Sequence, residues 1–204
     1  RVCYKSEGKI EDGSAEKFVA NLIKRGHEAM LEHASFILGV TELLYDSIRI
    51  VISKLEEQTD FTSFLRFTND TRPIVSGNVR AWRDFFKILC HIDGTLPNSF
   101  QELVEDNPVL FPEFRNIPFE RINEPTTISK ITDLVTDNEK LTHWDLTVKF
   151  VVDRGISHEL VRHRLASFAQ ESTRYCNYSK EDFGSEITFI IPSYLSYGSE
   201  AWKV

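Results

Sequence analysis

The residues best able to do chemistry crowd together late in the chain, in the run Glu159-Leu160-Val161-Arg162-His163-Arg164-Leu165-Ala166-Ser167-Phe168-Ala169-Gln170-Glu171-Ser172-Thr173-Arg174-Tyr175. Three guanidinium groups, an imidazole and several hydroxyls stand within those seventeen positions. A guanidinium is a planar fork that grips phosphate or pyrimidine oxygens two at a time. Hydroxyls and loop amides can complete such a phosphate site. If the run is helical, Arg162, His163 and Arg164 stand about 100° apart and fan over most of the circumference. No one surface could use all three. The fan suits a helix end set between two anions, or between an anion and another subunit. The competing reading is a solvated helix face on which Glu159 pairs with Arg162 or His163.

Other chemistries find less support. Of the six histidines, His27 and His33 are six apart and His158 and His163 five apart. Neither spacing puts two imidazoles on one helix face, so no metal site is expected. Cys3, Cys90 and Cys176 are scattered and odd in number, which fits a reducing cytoplasm better than a disulfide framework. The chain has no Gly-x-Gly and hence no dinucleotide fingerprint, and it has neither a serine elbow nor a phosphate loop. Trp82, Phe85 and Phe86 read as core rather than as a base-stacking platform.

The elements that must position the cationic run follow from periodicity. The 204 residues suffice for one domain or two small ones, with 41% hydrophobic residues to build a core. Helices are predicted at Ser14 to Arg25, Leu43 to Leu55, Asn78 to Leu89, around Phe100 to Val104, and from Ser157 to about Ser167. Strands are predicted at Ala34 to Val40, Leu146 to Val152 and Ile187 to Ile191. The class is α+β, with helices packed on small mixed or antiparallel sheets. No apolar run is long enough for a membrane span. A net charge of −7 disfavours a bulk nucleic-acid or anionic-membrane binder, so a cationic pocket would be local. Leu31-Glu32-His33 with Phe36, Leu38 and Val40 repeats, 110 residues on, as Leu141-Thr142-His143 with Leu146, Val148 and Phe150. Duplication and accident both remain open for it.

Arg-His-Arg, seven residues, then Ser-x-Arg resembles the signature of the flavin-dependent (alternative) thymidylate synthases. Gly26-His27-Glu28-Ala29-Met30-Leu31-Glu32-His33 resembles that family's Gly-His-Glu-x-x-x-Glu-His segment. Arg1-Val2-Cys3-Tyr4 is similar to its opening strand, and Asn78-Val79-Arg80-Ala81-Trp82-Arg83-Asp84-Phe85-Phe86 to its late Asn-x-Arg helix. The resemblance implies reductive methylation of dUMP to dTMP, with FAD as cofactor and NADPH and methylenetetrahydrofolate as co-substrates. It also implies a homotetramer whose sites draw on several subunits. Carried over by position, Arg162, His163, Arg164 and Gln170 would contact FAD, with His27, Ala29 and Asn78 also on the cofactor. Glu159, Arg162, Glu171, Ser172, Thr173 and Arg174 would bind dUMP. Arg162 and Arg174 would be the catalytic pair, Arg174 on the phosphate and Ser172 a ligand rather than a nucleophile.

The chain departs from the family in order. About a hundred residues stand between the His33 strand and the Arg-His-Arg helix, and the Asn-x-Arg helix precedes the signature. Leu89 occupies the position of the family's pyrimidine-activating arginine. We therefore expect residues 1–125 to be a degenerate synthase-like copy or an insertion-bearing part. Residues 126–204 would carry the signature and be truncated at the C-terminus. A non-catalytic flavin or nucleotide binder is the alternative, as is a single-strand nucleic-acid module using Arg162, Arg164, Arg174, Tyr175 and Tyr178.

Overall fold

The computed structural model describes residues 7–60, 62–120, 127–129, 133–163, 165–172, 176 and 190–191. The chain divides into two compact units, Asp12–Thr147 and Arg1–Glu11 with Val148–Val204. The boundary expected near residue 125 falls inside the first of these.

The Asp12–Thr147 unit is α+β, as its periodicities predict. Helix α1 (Ser14–Lys24) half-buries Phe18, Val19, Leu22 and Ile23, and a 310 turn over Glu28–His33 buries Leu31. Strand β1 (Ser35–Gly39) leads to helix α2 (Glu42–Gln58), whose first turn is capped by the Thr41 hydroxyl accepting from Leu44 N at 3.3 Å. Strands β2 (Arg66–Asn69) and β3 (Pro73–Asn78) form a hairpin, and helix α3 (Val79–Asp93) follows directly. Asn78 caps α3, its Oδ1 accepting from Ala81 N at 2.8 Å. Gly94 closes it at φ 69°, a left-handed conformation that glycine adopts without a Cβ clash.

Helix α3 carries the core. Trp82, Phe85 and Phe86 lie among Phe100, Phe111 and Phe114, with Phe86 and Phe100 ring centroids 5.0 Å apart. These aromatics are core residues, as expected. Leu96–Pro97 (β4) pairs in parallel with Phe119–Glu120 (β5), on either side of the short helix α4 (Gln101–Asp106). Strand β6 (Thr127–Ser129) completes an antiparallel four-stranded sheet in the order β2-β3-β1-β6.

Helix α5 (Asp137–His143) was not foreseen in the sequence. It docks on the β2–β3 hairpin through polar groups. His143, fully buried, is bracketed by the Thr68 hydroxyl at 2.8 Å and the Ser76 hydroxyl at 2.7 Å. Glu139, also fully buried, accepts from the Thr71 hydroxyl at 2.6 Å and from Val135 N at 2.7 Å. Arg66 reaches both carboxylate oxygens of Asp145 at 3.0 Å.

In the other unit the described helix is α6 (Arg154–Leu160), with Asp153 Oδ1 accepting from Ile156 N at 3.0 Å. Two expectations are corrected here. Leu146 to Val152 is not a strand: the stretch has no regular structure, and Leu146, Val148, Phe150 and Val151 are exposed. Alternation makes a strand only where a neighbour completes its hydrogen bonds, and nothing among the described residues pairs with it. The strand β1 around Phe36 therefore has no like strand around Val148, and the internal repeat finds no structural counterpart among the described residues. Of the strand expected at Ile187 to Ile191, Ile190 and Ile191 are described and are not in a strand. The rest lies outside the described residues, as does Arg1-Val2-Cys3-Tyr4.

Candidate functional site

Helix α6 brings the first half of the cationic run to its C-terminal end. It stops at Leu160 rather than continuing to Ser167, so the expected helical fan is corrected. Arg162 N bonds Glu159 O at 3.1 Å and His163 N bonds Leu160 O at 3.0 Å, a tight turn that closes the last carbonyls of the helix. Cationic side chains at that end also suit the helix dipole. Arg162 and Glu159 form an ion pair at 3.5 Å, with side chains 73% and 72% exposed, and His163 is exposed beside them. An exposed pair of this kind is weak and easily parted, so the guanidinium remains available to a ligand.

The chain then folds back on α6. Gln170 Nε2 donates to the Ser157 hydroxyl at 2.6 Å, and Arg154 Nη1 donates to the Glu171 carbonyl at 3.0 Å. Ser172 O accepts from Cys176 N at 2.9 Å. Gln170 and Glu171 thus lie against α6, and Gln170, Glu171 and Ser172 are half-buried. The structure gathers six of the expected residues in this unit: Glu159, Arg162, His163, Gln170, Glu171 and Ser172. Arg164, Thr173, Arg174 and Tyr175 lie outside the described residues, as does Tyr178. Ser157 and Arg154 were missed. Nothing in the local spacing signals them, because their partners return across 13 and 17 positions.

The remaining expected residues belong to the other unit. His27 is exposed at the start of the 310 turn, its N–H bonded to Leu22 O at 2.9 Å, and Ala29 is exposed on that turn. Asn78 has its side-chain oxygen engaged as the α3 cap, which leaves the amide nitrogen for any further contact. Leu89 is buried in the aromatic core, so that position of α3 offers no cation to a ligand. Among the described residues, no three histidine, cysteine or carboxylate side chains converge as a metal site. No described helix is long and apolar enough to cross a membrane.

Residues 116–203 match the family model described as thymidylate synthase complementing protein. That segment resembles the family. It contains α6 and the whole cationic run, but not His27, Ala29 or Asn78. The flavin-dependent thymidylate synthase of Thermococcus kodakarensis is 44% identical over 63 residues, which is 28% of this chain and 25% of that protein. That of Pyrococcus horikoshii is 46% identical over 50 residues, covering 24% and 20%. That of Pyrococcus abyssi is 30% identical over 94 residues, covering 45% and 38%. The chain therefore spans well under half the length of these synthase-family relatives. No solved structure matches it at comparable significance.

Proposed function

We propose that this chain acts in flavin-dependent thymidylate synthesis: reductive methylation of dUMP to dTMP, with methylenetetrahydrofolate as carbon donor and NADPH as reductant. The observation that carries the reading is the turn at the end of α6. There Arg162 and His163 stand exposed with Glu159, at the end of the helix whose Ser157 and Arg154 hold the returning Gln170 and Glu171, inside the family-matched segment.

The donor set fits FAD. A guanidinium and an imidazole, both exposed, can meet the cofactor's phosphates and ring oxygens, and an amide at Gln170 is held in direction by Ser157. FAD, when bound, supplies the hydride. The protein's part is charge and alignment. Arg162 would grip anionic and carbonyl oxygens, with Arg164 in the same role. Glu159, Glu171, Ser172 and Thr173 would orient dUMP, Ser172 as a hydrogen-bonding ligand. Arg174 would hold the dUMP phosphate. His27 and Ala29 would approach the flavin from another subunit of a homotetramer, with Asn78 also on the cofactor side. A preorganised cation near the pyrimidine carbonyls would stabilise charge as the ring is activated.

A second reading, a non-catalytic flavin or nucleotide binder, draws on Leu89. It lies in the core where the family's activating arginine would stand on this helix. Tritium release from ring-tritiated dUMP, with NADPH, FAD and methylenetetrahydrofolate, separates the two. Release that requires all three additions supports the synthase. Bound flavin without release supports the binder, and neither flavin nor dUMP binding overturns both.

A further inference from the structure

Helix α3 presents Arg80, Arg83 and Lys87 along one face, at spacings of three and four residues. The 310 turn Glu28–His33 packs against that face and presents Glu28 and Glu32. Arg80 Nη1 donates to Glu32 Oε1 at 2.7 Å. Arg83 Nη2 donates to Glu28 Oε1 at 3.3 Å, and Lys87 Nζ reaches both Glu28 oxygens at 3.2 and 3.1 Å. Arg83 is 1% exposed and is held on its other side by Glu113, at 2.5 and 3.0 Å, and by the Leu110 carbonyl. Val79 N donates to Ala34 O at 2.8 Å just past the turn, and buried Leu31 anchors its centre.

Burial alone would raise the Glu28 carboxyl, but hydrogen bonds from Arg83 and Lys87 outweigh it and hold the group below its ordinary value. Glu28 therefore faces the helix as a carboxylate. His27, Ala29 and His33 are exposed.

A six-residue 310 turn has poor internal hydrogen bonding, so its orientation must come from its surroundings. Ion pairs with this much burial are weak evidence for stability, since desolvation offsets much of their attraction. What three charged side chains on one rigid helix define well is geometry. We propose that Arg80, Arg83 and Lys87 are positioning residues that clamp the 27–33 turn, so that His27 and Ala29 are held ready for the flavin. The inference rests on the flavin reading above and deepens it by assigning α3 a role in the cofactor site.

The test uses the full chain and free FAD. Arg80→Glu sets a carboxylate against Glu32 and Asp84 on the surface, where folding is little affected. It should weaken FAD binding about tenfold, the scale seen when a ligand's supporting partner is removed, with the thermal midpoint nearly unchanged. Adding Glu32→Arg to Arg80→Glu restores the pair with opposite signs and should recover most of the affinity. Amide exchange at residues 28–34 should quicken in the single variant and slow again in the double. Parent-like FAD affinity in Arg80→Glu overturns the clamp. So does a loss that follows the thermal midpoint and is not rescued by the reversal. If the parent retains no FAD, the flavin reading fails instead. The clamp is then judged on exchange alone, and unaltered exchange in Arg80→Glu overturns it.

Discussion

Arg162 extends its guanidinium into solvent with Glu159 at 3.5 Å, so removing it leaves no buried group without a partner. Arg162→Ala should shift folding stability by no more than about 0.5 kcal/mol, as is usual for exposed substitutions. The same change should strip FAD from the purified protein, measured as the ratio of visible flavin absorbance to protein absorbance after gel filtration. Equal flavin occupancy in variant and parent would remove Arg162 from the cofactor site. At this scale the sequence was informative where chemistry is concentrated in type and spacing. Glu159, Arg162 and His163 are neighbours in the chain and remain neighbours at the end of α6. Ser157 and Arg154 were not legible. Each works by holding a segment that returns from well downstream, and only the folded loop creates that relation. Leu89 shows the reverse: it stands where the resembled family would place a cation, and packing supplies the reason, because the side chain lies in the aromatic core.

Among the elements, α5 makes the most specific claim, because its buried face is polar. Burial first, then the nearby Arg66 charge, lowers His143 from 6.5 to about 4, against the opposing pull of Glu139, Asp145 and Asp70. The folded state thus refuses a proton that the unfolded chain accepts between those values. Its contribution is complete above about pH 6.5 and is lost as the pH falls toward 4, with a slope of at most about 1.4 kcal/mol per pH unit. Glu139 is held at about 2 rather than 4.5, chiefly by the Thr71 hydroxyl working against burial. Its stabilisation is present above pH 4.5 and is lost below that. His143→Gln keeps a donor and an acceptor between Thr68 and Ser76 but cannot titrate. Urea midpoints measured from pH 7 to 4 should vary less in this variant than in the parent, and an identical slope would contradict the buried neutral imidazole. The same chemistry explains why α5 was missed: Asp137-Asn138-Glu139-Lys140-Leu141-Thr142-His143 has no apolar stripe, and its buried residues are Glu139 and His143. Helices α1, α2 and α3 were legible because their apolar residues recur at helical spacing. The β2–β3 hairpin was not. Its strands are short, begin with Arg66 and Pro73, and gain their burial from α3 and α5. Leu146 to Val152 was over-read, since its alternation is genuine but unpaired among the described residues.

For the molecule as a whole, a net charge of −7 means that no overall field draws nucleotides in, so recognition must be local to the cationic run. The two units divide the proposed work. The family-matched segment carries α6 and the returning loop, while α3 and the 310 turn belong to Asp12–Thr147. The central claim is that the turn at Arg162 serves flavin and nucleotide together. The most direct measurement is a visible difference spectrum of the FAD-loaded chain, titrated with dUMP and, separately, with deoxyuridine, which lacks the phosphate. The account predicts a saturable change in the flavin band with dUMP, little change with deoxyuridine, and loss of the dUMP response in Arg162→Ala. A flavin band that responds equally to both compounds, or to neither, would contradict it.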